Sequence, residues 1–363
     1  MASDTYAQQV SSYEPALLNF LNTFEAIQEE VRPGELRGLQ ARLVAATGDT
    51  FRRFNNELGA NTPPEDRAEF HKQFLIGVAA LERAMNLFMA EPSQHWVEIF
   101  LRSRSSLVRG LYTLYELRAE LPILAQHFAV EGADSVAADR PADPANTAPV
   151  GFSHFERQGN RSDYSLYVPE NYSPSREWPV IICLHGGYGQ GYEYIWTWLR
   201  SARTKGYILL SPKSLVETWT MTVGSPDTRS VMQMLDEVAE KYSIDRSRIY
   251  LTGLSDGGIF TYIMGLEKHE KFTALAPVAG ALHMAADPLL RTGSGRELPI
   301  FVIHGVHDFI FPVTFTRQTN ELLTSLQYNI KYEELPEWGH ALTYSINERL
   351  VMPWFESLPP RAE

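Results

Sequence analysis

A single cysteine, Cys183, in 363 residues leaves no material for an internal disulfide framework or a thiolate metal site. Basic residues are in deficit: 32 Lys and Arg stand against 44 Asp and Glu, a formal net charge of -12. With no basic stripe, a nucleic-acid partner is not expected, nor is docking on an anionic membrane surface. No apolar run approaches the length that spans a bilayer. The opening Met1-Ala-Ser-Asp-Thr-Tyr6 shows no basic region followed by an apolar run, so a cytoplasmic protein is the expectation. What is present is ordinary for a folded chain, 44% hydrophobic and 21% charged residues. At this length one core is strained, and two domains are expected.

The N-terminal third reads as helices. Leu17, Phe20, Phe24, Ile27 and Val31 recur at helical spacing up to Pro33-Gly34. A second run holds Leu36, Leu39 and Leu43 and, past Gly48, Phe51, Phe54 and Leu58. A third carries Phe70, Phe74, Val78, Leu81, Met85 and Phe88, with Thr62 placed to cap, Pro63 at the first helical position and Glu65 completing a capping box. A fourth is expected from about Ser93 to Leu121, with Gly110 weakening its middle. His71 and His95 are isolated and read as surface or satisfied side chains. Such a set predicts a small bundle or a helical cap, serving as a lid or as the contact of a homo-oligomer. From Val130 to Pro149 prolines and small residues replace periodicity. The expected organisation is therefore a helical domain over 1–129, a linker over 130–150 and a second domain over 151–363.

In that second domain, short apolar runs alternate with helical patterns. Strands are predicted at 163–168, 178–184, 207–210, 249–251, 274–278, 300–303 and 330–334. Helices are predicted at 228–242, 259–266 and 345–358. This alternation implies an α/β class, a mostly parallel sheet with helices on both faces, whose sites lie beyond the carboxyl ends of the strands.

The run Tyr250-Leu-Thr-Gly-Leu-Ser-Asp-Gly-Gly258 places G-x-S-x-G between a strand and a helix, the setting of a nucleophile elbow. By itself the pattern is also that of a glycine-rich turn. Other strand ends carry His185-Gly-Gly-Tyr188, His304-Gly-Val-His-Asp308 and, after the last strand, Trp338-Gly-His340. A triad follows, with Ser255 as nucleophile, His340 as base and Asp308 holding the imidazole. Their chain order, Ser, Asp, His, is that of the α/β-hydrolases. The oxyanion hole is assigned to the amides of Asp256 and of Gly187 or Tyr188. His304 and His307 compete for the role of base but lie too close in sequence to Asp308. His185 is expected to brace the oxyanion loop and, with Trp219, His283, Phe309 and Trp338, to lie at the substrate. Tyr188, Tyr192, Trp196, Trp198, Met221 and Phe311 add candidates for an aromatic-rich rim, several of them expected to be ordinary core or lid packing. That rim favours an apolar or aromatic group on the substrate. Cys183 reads as a buried spacer. A metal site built from His185, His283, His304 and Asp308 lacks any recognised ligand spacing.

The segments Arg248–Gly258, Phe272–Gly280 and Ile303–Asp308, with Tyr164–Tyr172 and Trp178–Gly187, resemble the α/β-hydrolase superfamily. Within it they are similar to serine esterases of the phospholipase/carboxylesterase type and to feruloyl-esterase or polyhydroxyalkanoate-depolymerase-like enzymes. The resemblance runs from about Tyr164 to Phe355 and leaves out the helical segment before Val130. It implies Ser255 as nucleophile, Asp308 as acid and His340 as base, and hydrolysis of a small-molecule ester without a cofactor. Peptide or lactone cleavage uses the same groups, and a non-catalytic binding protein is the contrasting class.

Overall fold

A computed structural model describes residues 2–32, 34–91 and 96–362. The chain forms two compact units, Met1–Glu131 and Gly132–Glu363.

The first unit is helical: α1 (Ala2–Glu30), α2 (Leu36–Thr47), α3 (Thr50–Glu57), α4 (Ala68–Phe88) and α5 (Trp96–Glu116). Its core joins Leu17, Phe20, Phe24 and Ile27 of α1 to Phe54, Phe74, Leu81 and Leu114. The second predicted run is two helices, because Gly48 turns the chain with φ 55°. The cap predicted for α4 does not form. Glu65–Arg67 makes a 3-10 turn with no side-chain cap, and α4 begins after it. Gly110 does more than weaken α5. A Cβ there would lie 2.7 Å from Leu81 Cδ2 and 3.0 Å from the Gly77 carbonyl, so its absence lets α4 and α5 cross closely. His71 is buried and bonded to the Tyr6 hydroxyl, whereas Pro33, Ser93 and His95 lie outside the described residues. Among the described residues no helix is long and apolar enough to cross a membrane.

The second unit opens with residues 132–150 held against it, as Asp139 pairs with Arg203 and the Tyr242 hydroxyl donates to the Pro149 carbonyl. It continues β1 (Gly151–Phe155), β2 (Tyr164–Val168), β3 (Trp178–Leu184), α6 (Gly191–Tyr194), α7 (Trp196–Lys205), β4 (Ile208–Pro212), α8 (Pro226–Lys241) and β5 (Ile244–Leu254). Then come α9 (Asp256–Glu267), β6 (Ala274–Val278), α10 (Asp287–Thr292), β7 (Ile300–Gly305), α11 (Val313–Ser325) and β8 (Ile330–Leu335). A helical stretch, α12 (Tyr344–Ile346), a π turn and α13 (Met352–Ser357), closes the unit.

The eight strands form one sheet in the order β1-β2-β4-β3-β5-β6-β7-β8. β1, β2 and β4 pair antiparallel, and every other pairing is parallel. β3, β4, β6 and β7 are buried along their whole length, as their unbroken apolar runs require. After β4 the chain returns to the other side of β3 to lay down β5, so the order reverses between β3 and β5. In sheets of this kind the site is expected beyond the carboxyl ends of the strands at such a reversal. The short helices α6 and α10 escaped prediction, as did three further elements. β1 is a short antiparallel edge. α11 buries mainly Thr316, Thr319 and Leu323 and shows little apolar periodicity. α7 buries Trp196 and Trp198, which therefore belong to the core and leave the expected rim.

Candidate active site

Ser255 stands between β5 and α9, as the N-cap of α9, with φ 58° and ψ -121°. A left-handed conformation is costly for a residue with a Cβ and persists only where the surroundings impose it. Here the neighbours do so. A Cβ at Gly253 would sit 2.3 Å from the Gly257 carbonyl, and one at Gly257 would sit 2.4 Å from the Leu184 carbonyl. Only glycine fits at either position, which is the physical content of G-x-S-x-G. The Ser255 amide donates to the Val278 carbonyl at 2.9 Å, pinning the turn to the end of β6. Asp256 is the first residue of α9, so its amide belongs to the unsatisfied N-terminal turn of that helix.

Asp308 follows β7. Its Oδ1 accepts the amides of Ile310 and Phe311 at 2.9 and 2.7 Å, and its Oδ2 lies 2.8 Å from Nδ1 of His340. A carboxylate oxygen only accepts, so Nδ1 of His340 carries the proton and Nε2 is left as the basic nitrogen. The loop that brings His340 here is zipped to the Asp308 loop. Val306 and His307 donate their amides to the carbonyls of Leu335 and Trp338, both at 3.0 Å. Gly305 makes room for this, because a Cβ there would fall 2.4 Å from the Trp338 carbonyl oxygen. Trp338 is buried and contributes this carbonyl; its ring is not an open wall. Phe309, 41% exposed, and Phe311 stand beside the imidazole with ring centroids 6.3 and 5.7 Å away.

His304 is not a base. It is fully buried, and its Nε2 faces two acceptors, the Phe311 carbonyl at 2.8 Å and Asp308 Oδ2 at 3.3 Å. Burial, the largest influence, lowers its pKa, so the neutral ring protonated at Nε2 takes the Thr316 hydroxyl on Nδ1 at 2.8 Å. Its place, four residues before Asp308 at a strand end, was visible in the sequence; its bracing role was not.

The oxyanion loop is braced by His185, as expected, and one of the two alternatives for its donor amide is removed. The Tyr188 amide donates to the Glu217 carbonyl at 2.8 Å, so it is spent, and Gly187 is the remaining candidate beside Asp256. The Tyr188 side chain is 75% exposed. His185 is buried, with both ring nitrogens bonded within the protein. Its Nδ1 donates to the Gly186 carbonyl at 2.6 Å, and its Nε2 accepts the Ser214 amide at 3.1 Å. Burial pulls its pKa down to about 3, which keeps the ring neutral. Trp219, 2% exposed, is likewise structural, donating its indole N–H to the His185 carbonyl at 2.7 Å and stacking on Phe260. His283 is exposed after β6, where its Nδ1 accepts the Ala285 amide at 3.2 Å. His307 enters through its amide alone. Among the described residues no group of three or more His, Cys, Asp or Glu is arranged to hold a metal ion. Burial raises the Cys183 thiol to about 12, consistent with an inert spacer in β3.

The phospholipase/carboxylesterase family model matches residues 224–350, a segment that contains Ser255, Asp308 and His340. The bifunctional acetylxylan esterase/xylanase XynS20E of Neocallimastix patriciarum is 32% identical over 158 residues, 42% of this chain and 22% of that protein. Feruloyl esterase C of Emericella nidulans is 25% identical over 163 residues, 43% of this chain and 58% of that protein. The chain thus spans less than two thirds of either curated relative. A feruloyl esterase module from Clostridium thermocellum aligns with TM-score 0.49 and 17% identity over 64% of this chain and 99% of that one. The sheet order and the strained serine between β5 and α9 give the second unit the α/β-hydrolase fold, and its sequence is similar to carboxylic ester hydrolases.

Proposed function

We propose that the protein hydrolyses carboxylic esters through an acyl-enzyme on Ser255. The observation that carries this reading is the strained Ser255 at the switch point of the sheet, on the same edge as the bonded Asp308–His340 pair. The Ser255 hydroxyl adds to the ester carbonyl as its proton passes to Nε2 of His340. The tetrahedral oxyanion is held by the amides of Asp256 and Gly187, roughly 3 kcal/mol per donor where such holes have been dissected. Collapse breaks the ester C–O bond, and His340 returns the proton to the departing alkoxide. Water, deprotonated by His340, then attacks the acyl-enzyme, releasing the carboxylic acid and restoring the serine. Asp308 stays ionised throughout and stabilises the imidazolium.

The substrate carries an apolar or aromatic group. Phe309 and Phe311 beside His340 support this, as do the exposed Ile310 and Tyr188 on the neighbouring loops. Two tests address the reading. A fluorophosphonate probe should label the wild type and leave S255A unlabelled; equal labelling of both would end the assignment of the nucleophile. A panel of p-nitrophenyl esters of increasing chain length, run beside feruloyl esters and peptides, should show ester turnover with a preference for apolar or aryl groups. Cleavage of peptides alone would replace this reading by that of a peptidase.

A further inference from the structure

The two glycines after His185 each lie against one residue of the elbow. A Cβ added at Gly186 would sit 3.3 Å from Cβ of Ser255, and one added at Gly187 would sit 2.7 Å from Oδ2 of Asp256. That same carboxylate oxygen accepts the Thr218 hydroxyl at 2.5 Å. Thr218 stands between the two residues that bind the oxyanion loop. Glu217 takes the Tyr188 amide on its carbonyl, and Trp219 donates to the His185 carbonyl. The segment 217–219 is itself fixed by buried Asp227, whose two oxygens accept the amides of Leu215 and Thr220 at 2.8 and 2.9 Å. The loop on either side of Gly187 is therefore tied to 217–219, and Thr218 ties 217–219 to the first residue of α9.

We infer that Asp256 is a positioning residue whose side chain, held by Thr218 and packed against Gly187, sets the spacing between the two amides that receive the oxyanion. This rests on the ester-hydrolase reading above. A carboxylate meets two needs at once here. It offers an acceptor to the Thr218 hydroxyl, and its bulk stops the Gly187 strand from collapsing onto the helix N-terminus. Oxyanion donors act only when their spacing matches the tetrahedral oxygen, so an error here lowers turnover more than substrate binding.

D256A should lower kcat about tenfold or more while KM changes little, because misplaced donors stabilise the transition-state oxyanion less and leave ground-state binding nearly unchanged. Fluorophosphonate labelling should slow in parallel, and D256N, which keeps the volume and an acceptor, should lose less. T218V should fall in the same direction and T218S should restore activity. The deciding measurement is the coupling of G187A to D256A. In the wild-type background the added Cβ strikes the carboxylate oxygen and kcat falls; in the D256A background that space is vacant and the same change costs much less. An equal fold-loss from G187A in both backgrounds, or a D256A enzyme with unchanged kcat, would overturn the inference, provided that the wild type labels and turns over esters. A wild type that does neither would end the ester-hydrolase reading and this inference with it. Thermal melts identify any variant that fails to fold, and for those the T218V and T218S pair decides the matter.

Discussion

Nε2 of His304 lies 3.3 Å from Oδ2 of Asp308, the same oxygen that meets Nδ1 of His340 at 2.8 Å. The carboxylate thus has neighbours on every side: two amides on Oδ1, two imidazoles on Oδ2. A fixed acceptor of this kind selects one tautomer of His340. D308N would replace an acceptor by an amide that can also donate, leaving the ring free to carry its proton on the wrong nitrogen. Under the proposed mechanism kcat should fall by about 10^4, with KM near the wild-type value. Retention of more than a tenth of the wild-type kcat would exclude Asp308 from the role.

His304 should act through Asp308, not on substrate. Its loss removes the Nε2–H donor to the Phe311 carbonyl, beside the Phe311 amide that Asp308 accepts, of the order of 1–2 kcal/mol, or about tenfold in kcat if all of it is felt in the transition state. H304A should therefore lower kcat far less than D308N, and T316V, which removes only the hydroxyl on Nδ1, less again. Steady-state kinetics of the three variants checks the ranking. A T316V loss equal to that of D308N would contradict it.

How much of this could be read from the chain follows the range of each interaction. The elbow is local: a buried strand, a serine between glycines and a helix lie within a dozen residues, and each propensity points the same way. Asp308 and His340 were legible because each stands just past a strand, and parallel strands deliver their ends to one edge. Residue type could not say which way a ring faces. Trp219 and His185 look like substrate contacts in the sequence, yet each is consumed in bonding the other's segment. Trp196 and Trp198 read as rim aromatics because the helix α7 that buries them starts without a sequence cap. The loss of the Tyr188 amide to Glu217 depends on two loops 29 residues apart, beyond the reach of any local pattern.

Gly305 offers a test of the zipped loops. A methyl group there would fall 2.4 Å from the Trp338 carbonyl oxygen and 2.6 Å from that of Gly339. Both neighbours are backbone and cannot swing aside as a side chain could. G305A should displace the loop carrying His340, destabilise the fold by about 1–3 kcal/mol and lower kcat more than it raises KM. Chemical denaturation and kinetics on the same preparation test this together. An active G305A enzyme of wild-type stability would mean that His340 does not depend on this contact.

The response of stability to acid should carry the mark of His185. Its folded pKa, near 3, lies far below the ordinary 6.5, because burial penalises the charged ring, an effect that the bond to the Gly186 carbonyl only partly offsets. The unfolded chain takes up this proton near pH 6.5 and the folded chain does not. Stability is therefore whole above that pH and falls as pH drops from about 6.5 towards 3, by up to roughly 1.4 kcal/mol per pH unit from this group. His304, lowered first by burial, adds in the same sense. Urea unfolding at pH 7, 6 and 5 should show the decline. H185Q separates this group from the rest, since its amide can donate to the Gly186 carbonyl and accept the Ser214 amide but cannot titrate. The variant should start less stable at pH 7 and lose less on acidification, the difference in slope approaching one proton. Parallel slopes for the two proteins would show that His185 exchanges its proton as readily in the folded chain as in the unfolded one.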